Sequence, residues 1–140
     1  MIKITRATKR KTISFSIEEW HKLDVAHYGR SIDFNDQEFR FQATEDGETI
    51  GLISGKHVSG VVYIDQVITA ERARRRGIGT LLIRKAVDFG KKVGAHKIWL
   101  MTGIDWSENE FYKKLGFKEE GTLPDHHFHK DFILYSYPIK

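Results

Sequence analysis

The stretch ERARRRGIGT, residues 71–80, places four arginines between positions 72 and 76, directly before Gly77 and Gly79. It follows the strand-like run GVVYIDQVIT (60–69), and after it apolar residues recur at spacings of three and four, as along one face of a helix. The arginines and glycines therefore occupy a strand-to-helix turn. Because the first backbone N–H groups of a helix lack intrahelical partners and carry partial positive charge, this turn is a predicted phosphate site.

Two common phosphate-binding patterns do not fit this turn. A Walker A loop needs a lysine directly after its last glycine, and none follows Gly77 or Gly79. A dinucleotide-binding fingerprint needs a third glycine at position 82, where the chain has Leu82. The pattern [QR]-x-x-G-x-[GA] does fit, with Arg74, Gly77 and Gly79 at its defined positions.

The rest of the chain alternates strand and helix patterns. We predict a first strand at IKITRA (2–7) and a helix at SIEEWHKLDVAHYG (16–29), opened by Ser16 and Glu19 in capping-box spacing. Meander strands follow at EFRFQAT (38–44), TIGLISGKHV (49–58) and GVVYIDQVIT (60–69). After the helix at 77–93, we predict a strand at KIWLMT (97–102), a short helix at SENEFYKKL (107–115), and strands at GFKEEGTL (116–123) and DFILYSYPI (131–139). This order predicts one α/β (α+β) domain over residues 1–140, built on a mixed sheet.

Composition narrows the possible functions. The chain has 140 residues and no cysteine, which excludes disulfides, thiolate-bound zinc, iron–sulfur clusters and a cysteine nucleophile. No run of apolar residues is long enough for a membrane span or a signal peptide, so we predict a cytoplasmic protein without a membrane partner. The net charge of +4 favours anionic partners in general.

A second motif makes the glycine pattern more specific. FYKKLGF (111–117) leads from a short helix through a glycine into a strand. Together with the loop at 74–79, and in this order, it resembles the GNAT superfamily of N-acetyltransferases, which bind acetyl-coenzyme A (acetyl-CoA). The resemblance covers roughly residues 50–137. It implies a mixed, mostly antiparallel central sheet with flanking helices and with splayed strands that hold acetyl-CoA.

The resemblance also implies which residues bind acetyl-CoA. The backbone of Val67, Ile68 and Thr69 would pair with the pantetheine arm, and an N–H group of Val67 or Ile68 would polarise the thioester carbonyl. The loop that starts at Arg74 would hold the pyrophosphate through the N–H groups of Arg75, Arg76, Gly77, Ile78, Gly79 and Thr80. Asp105 stands where many members have asparagine. It would accept a hydrogen bond from the pantetheine or cap the helix, although a carboxylate near phosphates is electrostatically unfavourable.

Two residues are candidates for proton transfer. Tyr112 matches the tyrosine that in many members of the superfamily protonates the leaving thiolate, and the alternative is a core residue of its helix. Asp65 precedes Val67 by two positions on the strand, so it shares a face with Val67 and is a candidate base, acting directly or through water. The alternative for Asp65 is a surface or hydrogen-bonded aspartate. The resemblance implies direct transfer to a primary amine in a ternary complex, in agreement with the absence of cysteine.

Several other interpretations remain open. RARRR (72–76) and KRK (9–11) suggest a basic nucleic-acid-binding domain, although no aromatic residue interleaves with these charges. A domain that binds acyl-CoA without transferring it would have the same fold. PDHHFHKD (124–131) contains the His126–His129 cluster with Asp125 and Asp131 beside it, but its spacing matches no common zinc pattern, so we predict no metal. Instead, this loop would shape the acceptor pocket, where a histidine is a candidate base.

The acceptor itself is not defined by the sequence. The N-terminal region has space for about one good helix where members of the superfamily often have two, which would leave the acceptor groove open to a small amine, a peptide or a protein lysine. Homodimers are common in the superfamily, so a homodimer is also among the assemblies that the resemblance implies.

Overall fold

The computed structural model describes residues 1–32 and 36–140. The chain divides into two units, Met1–Phe34 and Asn35–Lys140. The single domain over residues 1–140 stays a prediction. Within the two described ranges, no helix is long and apolar enough to cross a membrane.

The first unit is built on helix α1 (Lys9–Tyr28). Thr8 caps the helix by accepting a hydrogen bond from the Lys11 N–H group at 3.3 Å, and Gly29 ends it in a left-handed conformation with φ of 72°. Two predictions are therefore wrong. Residues 2–7 do not form a strand, and Ser16 lies inside the helix instead of capping it, because an earlier threonine supplies the cap and neither glycine nor proline separates the two positions.

The second unit consists of six strands and two α-helices: β1 (Gln37–Glu45), β2 (Glu48–Val58), β3 (Val61–Thr69), α2 (Ile78–Lys92), β4 (Lys97–Gly103), α3 (Glu108–Lys114), β5 (Lys118–Leu123) and β6 (Phe132–Pro138). The strands form one sheet in the order β1-β2-β3-β4-β6-β5. Every neighbouring pair of strands is antiparallel except β3 and β4, which are parallel. The mixed, mostly antiparallel sheet predicted from the sequence is confirmed.

Helix α2 packs on one face of this sheet. A Cβ added to Gly51 of β2 would lie 2.9 Å from Cγ2 of Ile78, so the absence of a side chain lets the helix approach the strand closely. Phe89 packs against Phe39 of β1 with 4.8 Å between ring centroids. The core between helix and sheet is completed by buried apolar side chains, including Ile53, Val62, Leu82, Ile83, Ala86 and Ile98.

The parallel pair β3–β4 is short. Its register contains three positions, Val61 with Lys97, Val62 with Ile98 and Tyr63 with Trp99, although β3 continues to Thr69 and β4 to Gly103. Beyond Tyr63 the two strands separate. The sheet therefore has an opening at its centre, and the loop that leads to α2 starts at the far end of this opening.

Candidate functional site

The start of α2 offers a row of unpaired N–H groups. The first hydrogen bond of the helix runs from the Leu81 N–H group to the Gly77 carbonyl at 3.1 Å. The N–H groups of Ile78, Gly79 and Thr80 therefore have no partner within the helix. Just before them, Arg75 and Gly77 have φ of 65° and 78°. Left-handed residues at such a turn direct successive N–H groups toward one side, which produces an anion-binding concavity.

The four arginines of this turn have two different roles. Arg72 pairs with Glu48 of β2 at 2.9 Å, and Arg76 pairs with Glu45 of β1, so these two side chains attach the turn to the β1–β2 hairpin. The Arg76 guanidinium also lowers the pKa of Glu45, mainly through their hydrogen bond. Arg74 and Arg75 line the cleft instead. Arg74 Nε donates to the Thr69 carbonyl oxygen at 3.4 Å. Among residues 1–32 and 36–140, neither Arg74 nor Arg75 has an acidic partner, so these two guanidinium groups can bind an anionic ligand.

A cleft of about 430 Å³ lies between the end of β3, the start of α2 and helix α3. It brings together ten of the residues predicted from the sequence: Val67, Ile68, Thr69, Arg74, Arg75, Gly77, Ile78, Gly79, Thr80 and Tyr112. Its wall also contains residues that sequence reasoning missed: Ala73, Ser107, Glu108 and Phe111. Phe111 lies so close to Gly79 that a Cβ added to Gly79 would be 3.1 Å from the phenyl ring. In the sequence, the only signal for a role of Phe111 in the cleft was its position next to Tyr112.

Tyr112 is a buried residue of α3 that also reaches the cleft. Its side chain is 7% exposed and packs against the rings of Phe111, Phe117 and Tyr135. Burial, with a smaller contribution from the charge of Glu108, raises the pKa of Tyr112 to about 12. The phenol therefore holds its proton throughout the neutral and moderately alkaline range. Tyr112 is therefore both a core residue and a cleft residue, and its role at the leaving thiolate stays a prediction.

Asp65 occupies a different face from the one predicted. The β2–β3 register shifts between Ser54 and Gly55, so β3 carries an extra residue at this point. Val67, opposite Ile53, is on the α2 side of the sheet, whereas the Asp65 carboxylate accepts a hydrogen bond from Ser54 Oγ at 2.5 Å on the other side. The predicted shared face of Asp65 and Val67 is wrong, because the bulge interrupts the two-residue alternation.

Asp105 and Arg76 do not line the cleft. Asp105 is exposed in the turn that follows β4, and the residue at the N-cap of α3 is Ser107. The structure instead reveals Asn109, which the sequence analysis missed. Its Nδ2 group donates to the carbonyl oxygens of Gly103, Ile104 and Trp106, and its Oδ1 atom accepts from the Tyr135 hydroxyl at 2.6 Å. An amide at the second position of a short helix was the available signal for such a bridging role.

The histidine-rich loop precedes β6. His129 Nδ1 lies 2.7 Å from Asp125 Oδ1, and the Asp125 N–H group donates to Asp131 Oδ1 at 2.8 Å. The rings of His126 and His127 pack against Phe132. Over residues 1–32 and 36–140, no three His, Asp or Glu side chains are grouped so that they would hold a metal ion. These contacts stabilise the conformation of the loop.

The cleft residues fit the chemistry of a phosphorylated thioester. Unpaired N–H groups and two arginines suit a pyrophosphate, and Gly77 leaves open space where a side chain would otherwise stand. Past Tyr63, the edge of β3 that faces β4 has no partner strand within the described part of the chain. This edge suits an extended polar chain that forms hydrogen bonds with the backbone. Val67, Ile68 and Thr69 in this part of β3 also face the cleft.

Comparisons with known proteins agree with this geometry. The model of the acetyltransferase (GNAT) family matches residues 5–117. An uncharacterized N-acetyltransferase of Methanocaldococcus jannaschii is 33% identical over a 93-residue alignment, which covers 61% of this chain and 41% of that protein. The chain therefore spans less than half the length of this curated relative.

Solved structures resemble the whole chain or most of it. An acetyltransferase from Bacillus cereus has a TM-score of 0.77 at 20% identity over 98% of this chain and 97% of its own. The ribosomal-protein-S18-alanine N-acetyltransferase from Escherichia coli has a TM-score of 0.68 at 19% identity over 98% and 92%. An acetyltransferase from Bacillus anthracis in complex with acetyl coenzyme A has a TM-score of 0.67 at 22% identity over 72% and 62%. With a shared fold and a family model that matches most of its length, this chain belongs to the GNAT family of N-acetyltransferases.

Proposed function

We propose that the chain transfers an acetyl group from acetyl-CoA to a primary amine by direct attack in a ternary complex. One observation carries this proposal: the cleft between the end of β3, the start of α2 and helix α3 combines unpaired helix N–H groups, two arginines and a buried tyrosine. Acetyl-CoA supplies an activated thioester. The amine nitrogen forms a bond to the acetyl carbon, the carbon–sulfur bond breaks, and the sulfur departs with the electron pair as a thiolate.

The loop and β3 would hold acetyl-CoA. The N–H groups of residues 75–80, together with Arg74 and Arg75, would bind the pyrophosphate. The backbone of Val67, Ile68 and Thr69, which has no partner strand on the β4 side, would pair with the pantetheine arm. An N–H group of Val67 or Ile68 would stabilise negative charge on the carbonyl oxygen while the amine attacks.

Tyr112 would donate a hydrogen bond to the departing sulfur. Its hydroxyl takes part in none of the side-chain hydrogen bonds found among the described residues, and its ring is fixed by three aromatic neighbours. A donor that is already positioned and protonated needs no rearrangement when the thiolate forms. Asp105, exposed in its turn, would at most contribute a secondary contact to the pantetheine.

Asp65 would receive the proton that the attacking amine loses. The bulge directs its carboxylate away from the α2 face, and the residue lies beside the opening between β3 and β4. The acceptor amine would enter this opening from the face of the sheet that carries Asp65. It would then reach the thioester from the side opposite the loop between β3 and α2, which holds the pyrophosphate. The Ser54 hydroxyl holds the carboxylate in place at 2.5 Å.

Binding of acetyl-CoA tests the proposal directly. Calorimetric titration at two salt concentrations compares the unaltered protein with the variant Arg74→Ala, Gly77→Asp and with the control Arg72→Ala, whose arginine pairs with Glu48 outside the cleft. We expect micromolar binding that the double variant loses and the control retains. A panel of primary amines, followed by release of the free thiol, then distinguishes transfer from binding alone.

Each result of this experiment has a defined meaning. Binding without transfer to any amine would favour the acyl-CoA-binding domain without catalysis. No binding of acetyl-CoA, combined with strongly salt-dependent binding of DNA or RNA, would favour the basic nucleic-acid-binding domain.

A further inference from the structure

A second cavity lies on the face of the sheet opposite α2. It has a volume of about 460 Å³ and is lined by side chains from three adjacent strands. The charged and polar members are Glu38, Arg40, Ser54, Lys56, Tyr63 and Asp65. A volume in this range is typical of sites for small molecules. The cavity therefore suits a compact ligand with more than one charged group.

Three of these residues form a row across the sheet. Arg40 of β1 is opposite Ser54 of β2, and the Ser54 hydroxyl bonds to the carboxylate of Asp65. Ser54 is only 3% exposed, so this hydroxyl fixes the carboxylate while leaving its other oxygen available. Adjacent strands lie about 4.8 Å apart, so the backbones of Arg40 and Asp65 are separated by roughly 10 Å. The row thus has a cation at one end and a carboxylate at the other.

Among the residues that the structure describes, the cations of this cavity have no acidic partner. None of the salt bridges among residues 1–32 and 36–140 uses Arg40 or Lys56, although Glu38 is opposite Lys56 in the register. By contrast, Arg72 and Arg76 of the α2 loop are both paired. Arg40 and Lys56 are therefore available to bind an anionic group of a ligand.

The cavity lies beside the opening in the sheet. Tyr63 is the last residue of β3 that pairs with β4, and its ring packs against that of Trp99 with 4.5 Å between centroids. Asp65 follows this last pair by two positions, and Val67, two positions further, faces the cleft on the other side. A ligand amine bound by Asp65 would lie at the entrance to the opening that leads to Val67.

We propose that the acceptor is a free amino acid, whose amine lies beside Asp65 and whose carboxylate is bound by Arg40 and Lys56. This inference rests on the proposed acetyl transfer. The charge balance supports it, because a polyamine would bring positive charge against two cations and a simple carboxylic acid would bring negative charge against two carboxylates. An amino acid has one group of each sign a few bonds apart, which the long Arg40 and Lys56 side chains can span.

The test compares amino acids with matched compounds that lack the carboxylate. With saturating acetyl-CoA, thiol release is measured for each of the standard amino acids, for its carboxamide and for its decarboxylated amine. We expect kcat/KM for the preferred amino acid to exceed that of its carboxamide by about tenfold, the effect of losing one hydrogen bond between charged groups. Arg40→Gln and Lys56→Gln should each reduce this preference and leave the Kd for acetyl-CoA unchanged. Arg84→Gln, which removes an exposed cation from α2, is the matched control.

Three results would overturn the inference while binding of acetyl-CoA stands. The first is acetylation of the carboxamides or decarboxylated amines as efficiently as of the amino acids. The second is an equal effect of Arg40→Gln on all three classes, and the third is binding of acetyl-CoA without transfer to any amino acid. Failure of the unaltered protein to bind acetyl-CoA would remove the proposed function itself, and the inference with it.

Discussion

Replacing Tyr112 with phenylalanine removes one hydroxyl group from the wall of the cleft and leaves the aromatic packing in place. The size of the expected effect follows from the pKa of this phenol, which burial raises to about 12. An ordinary thiol has a pKa of about 8.5, so complete transfer of the Tyr112 proton to such a thiolate is unfavourable by about 5 kcal/mol. Tyr112 should therefore stabilise the thiolate by donating a hydrogen bond, and the thiolate should take its proton from water.

A hydrogen bond to a charged group contributes about 1.5–3 kcal/mol, which corresponds to a decrease in kcat of roughly 10- to 150-fold. The Kd for acetyl-CoA should hardly change, because the sulfur becomes charged only during the reaction. Steady-state thiol release measures kcat, and calorimetry measures Kd. Tyr137→Phe is the matched control, since Tyr137 packs against Phe117 and does not line the cleft.

The pH dependence provides a separate check. Because the pKa of Tyr112 is near 12, ionisation of this phenol should not reduce kcat of the unaltered protein between about pH 8 and pH 10. A decrease in kcat by less than about threefold in Tyr112→Phe, below the weakest bond of this kind, would refute the proposed contact. An alkaline limb centred near pH 10 that disappears in the variant would refute the argument from burial.

Three further predictions concern binding and stability. Arg74→Ala and Arg75→Ala should each weaken acetyl-CoA binding by roughly tenfold at low salt and by less at high salt. Arg72→Ala should leave the binding unchanged. If calorimetry finds the same Kd for all three variants, the assignment of Arg74 and Arg75 to the cleft and of Arg72 to the hairpin is contradicted. Gly77→Ala should lower the free energy of unfolding by about 1–2 kcal/mol, because φ at this position is 78°. Urea denaturation measures this change, with Gly121→Ala as the control, since a Cβ added to Gly121 meets open space. The free energy of unfolding should fall as pH rises from about 10 to 12, because the Tyr112 phenol ionises at lower pH in the unfolded chain than in the folded one. Tyr112 should contribute up to about 3 kcal/mol to this fall. Urea denaturation at a series of pH values should therefore show a shallower fall for Tyr112→Phe.

The sheet and helices of the second unit could be predicted because their signals are local. Alternating apolar residues bounded by turn residues gave the strands, and spacings of three and four gave α2 within a residue or two of Ile78–Lys92. The N-terminal unit was less accessible to such reasoning. Thr8 and Ser16 are both good caps, and propensity alone does not indicate which of them begins a helix when the residues between them allow either.

The phosphate-binding part of the site was predictable for the same reason, since the residues of the α2 loop are contiguous in the chain. The position of Asp65 was not, because the bulge arises from the way β3 pairs with β2, which is a long-range property. The pairing of Arg76 with Glu45 is another long-range contact, 31 positions apart in the chain. Sequence distinguished the loop from the rest of the chain, but only the fold separates the arginines that face the cleft from those that hold the hairpin.

The three-position pairing of β3 with β4 also affects how the protein behaves before any ligand binds. Past Tyr63, β3 exposes hydrogen-bonding groups inside a sheet, where strands are normally paired on both sides. Such an edge is a template for any extended segment, including one from an unfolded neighbour in a concentrated solution. A ligand that pairs with this edge would remove the template, so saturating acetyl-CoA should slow aggregation as well as raise the melting temperature.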